Sequence, residues 1–182
     1  MKIFMLTIFA LAVSAPVFSN SQAVKLDLNW QDIDKFTDIR AANDSRSRFQ
    51  ERIKRNFGTF FQELAQQLPE GYHWQVTITD IDLAGQVEHF VTDTGQAIRV
   101  IKEIHAPAIR FNHQLRDQYG EAVASGEERL RDIGFLSRLK PRNHTPEFAF
   151  ERQLLQDWFN NELQPAITRH AALPAKISQQ QE

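Results

Sequence analysis

Asp80 and Asp82 bracket one isoleucine in the run Thr79-Asp80-Ile81-Asp82-Leu83-Ala84-Gly85, and Asp38 stands shortly before Arg40 further upstream. Carboxylates brought together near a strand end can coordinate a hard cation or act as an acid/base pair. The same residues also suit a structural task. An aspartate accepts readily from turn N–H groups, and Arg40, Arg110 and Arg116 are available as ion partners. A calcium loop of EF-hand type would need further oxygen ligands and a glutamate at its twelfth position, which this segment lacks. Asp38, Arg40, Asp80 and Asp82 therefore form a candidate binding region, with no catalytic residue and no metal assigned to it.

Other chemistries find little support. The six histidines, His73, His89, His105, His113, His144 and His170, never fall at the i, i+2 or i, i+4 spacing that sets two imidazoles on one face. His113 sits on the apolar parity of its strand and is expected to be a core imidazole satisfied by one partner. There is no cysteine, which removes thiolate catalysis, cysteine-ligated zinc and a lipid-modified N-terminus. No G-x-S-x-G elbow, phosphate-binding loop or dinucleotide fingerprint occurs, so no cofactor is expected.

A second candidate is electrostatic. Between Arg46 and Arg55 five cations face one carboxylate, and Arg48, Arg52 and Arg55 fall close together on the helix side opposite a row of phenylalanines. Positive charge early in a helix opposes the macrodipole, so local helix stability does not account for it. The stripe suits contact with an anionic envelope component or an acidic partner, or else serves as a solvated face. Glu151 lies inside the apolar arc of a later helix. A carboxylate there must find a donor or take up a proton, and an arginine partner is expected.

These residues need elements to hold them. Val24, Leu26, Leu28 and Trp30 alternate with polar residues as a strand does. Phe49, Ile53, Phe57, Phe60, Phe61, Leu64 and Leu68 form one apolar arc of a helix starting near Asp44–Ser47, where Ser47 and Gln50 make a possible capping box, and Pro69-Glu70-Gly71 stops it. Trp74, Val76 and Ile78 open a strand. Its parity reverses near Thr79, which requires either a bulge or a strand end. Residues 92–97 read as a turn, and Ile98–Ile104 and Ile109–Leu115 as strands. A hairpin at Asp117–Gly120 leads into a strand over 121–130, with a short helix at Phe135–Leu139. Thr145-Pro146 caps a second long helix, which Pro165 is expected to end. The fold class is α+β, with a two-layer, mostly antiparallel sheet in β-α-β-β-β-α order and both long helices on one face.

The chain has 182 residues and a formal net charge of −2, which excludes a bulk polycation built for nucleic acid. Lys2, the apolar run from Ile3 to Val13 and the small residues around Ser21-Gln22-Ala23 outline a signal peptide over 1–23, cleaved after Ala23 or alternatively after Ser19. A single domain over 24–164 and a flexible tail over 165–182 follow. No later stretch is apolar for long enough to span a bilayer. The expected location is the periplasm, with the extracellular space as the alternative.

Phe36-Thr37-Asp38-Ile39-Arg40, Leu68-Pro69-Glu70-Gly71, the TDIDLAG string at 79–85, Gly126 to Asp132 and Asp157-Trp158-Phe159 carry a resemblance over roughly residues 24–163. Together they resemble an uncharacterised family of exported Gram-negative bacterial proteins, defined as a domain of unknown function. The resemblance implies an exported address and a one-domain extent, and no chemistry. The resulting expectation is a non-enzymatic binding or accessory protein of the cell envelope, with an envelope protein or anionic envelope component as partner. The alternative is a periplasmic hydrolase or metal-dependent enzyme using the aspartates.

Overall fold

The computed structural model describes residues 23–89, 95–138 and 145–179, with side chains described as far as residue 173. Residues 1–22 of the expected signal segment, part of the expected 92–97 turn and the last residue of the Phe135–Leu139 helix lie outside the described residues. In chain order the elements are β1 (Lys25–Trp30), α1 (Arg46–Ala65), β2 (His73–Asp82), β3 (Gln86–Glu88), β4 (Ile98–Val100), β5 (Ala108–Arg116), β6 (Ala122–Arg131), α2 (Phe135–Arg138), α3 (Ala149–Trp158) and α4 (Gln164–Gln179).

Strands β1, β2, β5 and β6 form one sheet in that order. The β1–β2 pair is parallel, because α1 crosses between them, and the other two pairs are antiparallel. Trp74, Val76 and Ile78 pair with Leu115, His113 and Phe111, giving β2 and β5 a common apolar face. Both long helices cover that face. Phe61 of α1 meets Trp74 and Phe111 at ring-centroid distances of 5.6 Å, and Trp158 of α3 meets Phe111 edge-on at 4.9 Å and stacks on Trp74 at 6.3 Å. The other face presents Gln75, Asn112, Glu127 and Arg129, all exposed. The α+β class, mostly antiparallel sheet and one-sided helices follow from these contacts.

At Thr79 the parity reversal is a bulge. The register shifts between Ile78 and Asp80, so Asp80 pairs with Arg110 and Ile81 with Ile109. The inserted residue returns Ile81 to the core and turns Asp80 and Asp82 to the polar side, and β2 continues to Asp82.

Several local expectations are corrected. Helix α1 is capped by Ser45, whose Oγ accepts the Arg48 N–H at 3.4 Å, while Gln50 donates instead to Asp34 at 2.9 Å, so no Ser47/Gln50 box forms. The expected Ile98–Ile104 strand is only Ile98–Val100 and pairs with β3 in a separate two-stranded ribbon. Helix α3 begins at Ala149, after Phe148 adopts a left-handed conformation, so Pro146 lies before the helix. Pro165 does not end the helical run. A wide π turn over Phe159–Leu163 directs the Gln164 N–H to the Phe159 carbonyl, and α4 continues through Gln179. Proline lacks an N–H and crowds the carbonyl one turn back; placed in the first turn after a widened one, it is tolerated.

Candidate functional site

Asp38 follows β1 and joins the sheet beside the end of β2. Its N–H donates to Ile81 O at 3.1 Å, and its carbonyl accepts the Leu83 N–H at 3.3 Å, making an isolated parallel bridge to Asp82. The three aspartates of the acidic run thus come together, and each is used differently. Asp80 is held by Thr37, which donates its N–H and its hydroxyl to the two carboxylate oxygens at 2.7 Å each. Asp38 is gripped by the guanidinium of Arg99, from β4, through Nη1 at 2.8 Å and Nη2 at 3.3 Å. Asp82 has neither clasp. Burial, with Asp38 close by, pushes its carboxyl above the ordinary aspartate range.

Arg99 also donates to Gly85 O and to Arg40 O at 3.0 Å each, so it fastens the β3–β4 ribbon to the sheet end. The ribbon comes close because Gly85 has φ +75° and an added Cβ would lie 2.3 Å from Val100 O.

The arginine stripe divides on folding. Arg52 is drawn inward, with Nη1 on Asp44 at 2.8 Å, Nε on Glu147 at 3.1 Å and its guanidinium carbon 5.0 Å from the Phe49 ring centroid. Its hydrogen bond holds the Asp44 carboxyl below the usual range. Arg48 is exposed and 3.9 Å from Asp44, and Arg55 is exposed without lining the cavity described next.

Between the first turns of α1 and α3 lies a cavity of about 640 Å³, within the size range of small-molecule sites. Phe49, Leu83, Ile101 and Phe148 give it apolar walls, and Arg40, Arg52 and Arg99 line it. Of the proposed site residues, Arg40 and Arg52 reach this cavity. Asp38, Asp82 and again Arg40 line an adjoining cleft of about 390 Å³, together with His105. Arg40 is exposed, and its guanidinium forms no ion pair with another described residue.

Glu151 completes the cavity wall. It is 2% exposed, and Oε1 accepts the Ala84 N–H at 2.7 Å. The expected arginine partner is replaced by this backbone amide, and burial raises the carboxyl above the ordinary glutamate range. His113 is a core imidazole, as its parity implies. Nε2 lies 3.2 Å from Glu128, and burial lowers its proton affinity. Among the described residues no group of three His, Asp or Glu is placed to hold a metal, and no helix is long and apolar enough to cross a membrane.

Arg99, Asp44 and Glu147 were invisible as site residues in the sequence. Arg99 meets Asp38 across 61 positions, and no local spacing announces such a pair. The only available hint was that Arg99 stands among apolar neighbours, Ile98, Val100 and Ile101.

No curated protein and no solved structure matches the chain. A family model described as protein of unknown function (DUF3016) matches residues 24–161, the whole of the sheet together with α1 to α3, and the chain belongs to that family.

Proposed function

We propose that the protein is an exported, non-enzymatic binding protein of the cell envelope, and that the cavity between the first turns of α1 and α3 receives the anionic part of its ligand. One observation carries this reading. Arg40 lines the cavity with its guanidinium uncommitted, whereas Arg52 is held by Asp44 and Glu147 and Arg99 by Asp38. A free guanidinium beside an apolar wall recognises an anion carried on an apolar body. The exposed Arg48 and Arg55 on the same helix favour approach to an anionic surface. The leader-like residues 1–23 support export.

Thermal unfolding of the purified protein tests the reading, with sodium decanoate in one arm and decyltrimethylammonium in the other. Decanoate should raise Tm saturably, and Arg40→Glu should remove that rise. An equal response to both amphiphiles, or an undiminished response in the variant, contradicts it. Cell fractionation checks the address, and recovery of the intact chain in the cytoplasm would contradict export.

A second reading rests on Asp82, whose raised carboxyl lines the adjoining polar cleft as an acid/base residue would. It predicts hydrolytic turnover by the purified protein that Asp82→Asn erases.

A further inference from the structure

We infer that the ligand is a zwitterion, with an apolar chain in the cavity, an anionic group at Arg40 and, beyond that group, an ammonium at Asp82. This rests on the cavity reading above and specifies both the class of ligand and the order of its charges. A single-chain amphiphile with a phosphocholine or phosphoethanolamine head has that order.

Two side chains of opposite charge face one cleft. Asp82, at the end of β2, and Arg40, just after the Asp38 bridge, both line the adjoining polar cleft of about 390 Å³. They do not pair with each other, and neither side chain forms an ion pair or hydrogen bond with another described residue. The acids beside Asp82 are occupied. Asp38 is held by Nη1 and Nη2 of Arg99, and Asp80 by the N–H and hydroxyl of Thr37. Arg99 and Arg131 act on Asp82 without hydrogen-bonding to it, while Asp38 and Asp80 add negative charge next to it. A cation entering the cleft therefore finds an acceptor for which no protein donor competes. A ligand carrying both complementary charges satisfies Arg40 and Asp82 at once.

The placement of the two residues sets the order. Arg40 lines the cleft and also the larger cavity, whereas Asp82 lines the cleft alone and the walls Phe49, Leu83, Ile101 and Phe148 line the cavity alone. A chain lying in the cavity brings its nearer charge to Arg40 and its farther charge to Asp82. The reverse order would set an ammonium against a guanidinium and an anion against a carboxylate. Another cleft, of about 500 Å³, also reaches Arg40, but its carboxylates Asp34 and Asp44 already pair with Arg46 and Arg52.

Cavity volume sets the size of the apolar body. At about 30 Å³ for each water-sized group, 640 Å³ holds roughly twenty of them, room for an alkyl chain of about ten carbons and far more than one amino-acid side chain fills.

Calorimetric titration of the whole protein, below the micelle concentration of each probe, compares three decyl amphiphiles. Decylphosphocholine carries its anion next to the chain and its ammonium outermost, decyl sulfobetaine reverses that order, and decanesulfonate has the anion alone. Decylphosphocholine should bind about fivefold or more tightly than decanesulfonate, the gain from one partly screened ion pair. The sulfobetaine should bind more weakly than either. In Asp82→Asn the ratio of phosphocholine to sulfonate affinity should fall close to unity; comparing this ratio between the two proteins cancels the difference between phosphate and sulfonate. Arg40→Gln should weaken both probes. Phenylalanine, which sets the same two charges on a short body, should not compete. The inference is overturned by a wild-type ratio near unity, by a ratio that survives Asp82→Asn, by a sulfobetaine that binds as tightly as the phosphocholine, or by effective competition from phenylalanine. If any of these accompanies binding of decanesulfonate that still requires Arg40, the cavity reading survives. If none of the decyl probes binds, both readings fall.

Discussion

Glu151 and Ala84 meet across 67 positions of chain, the buried carboxyl of the first turn of α3 accepting the amide that follows β2. This bond fixes the cavity wall, because it ties the helix carrying Phe150 and Glu151 to the backbone that Arg99 clasps from the other side through Gly85 O.

The same carboxyl makes stability depend on pH. Burial raises its proton affinity in the folded chain above that in the unfolded one. Its contribution is therefore complete below the unfolded-state pKa and is lost as pH rises through the folded-state value. Urea unfolding at a series of pH values should show the wild-type midpoint declining, relative to Glu151→Gln, from acid toward neutral and alkaline pH. A constant difference between the two proteins would contradict the assignment.

Gly85 and Gly58 should respond oppositely to alanine. Gly85 combines φ +75° with a backbone oxygen 2.3 Å from any added Cβ, so Gly85→Ala should cost about 2 kcal/mol or more and loosen the β3–β4 ribbon. Gly58 is inside α1 with nothing within 4 Å of an added Cβ, so Gly58→Ala should stabilise by about 0.5–1 kcal/mol. Denaturant midpoints check both signs.

Phe111 is the point where the two helices share the sheet, with Phe61 at 5.6 Å and Trp158 at 4.9 Å between ring centroids. It is fully buried. Phe111→Ala should cost about 3–5 kcal/mol in equilibrium unfolding. A loss under about 1 kcal/mol would mean that the helices are not packed as described.

Much of the fold was legible in the sequence because its signals are periodic. The phenylalanines of α1 and the alternation through Trp74–Ile78 and Ile109–Leu115 specify both buried faces, and the broken parity at Thr79 called for a bulge or a strand end, of which the register shift between Ile78 and Asp80 is the bulge. The candidate site was only partly legible. Asp38, Arg40, Asp82 and Arg52 could be named from local pattern, but their duties depend on partners from distant segments. Arg99 neutralises Asp38, Thr37 satisfies Asp80, and Asp44 with Glu147 turns Arg52 inward. A charge count over Arg46–Arg55 misses these carboxylates, which is why the stripe looked more continuous than it is. The helical run past Pro165 was hidden because a π turn leaves no periodic mark.

The central claim, that the cavity between α1 and α3 is where ligand binds, is tested most directly by methyl-resolved NMR during titration with decanoate. Saturable shifts should appear at Leu83 and Ile101, which line the cavity, while Leu115 in the core under α1 and α3 stays unchanged, and Arg40→Glu should abolish the response. Absence of saturable shifts at Leu83 and Ile101 at concentrations where decanoate binds the protein would contradict the account.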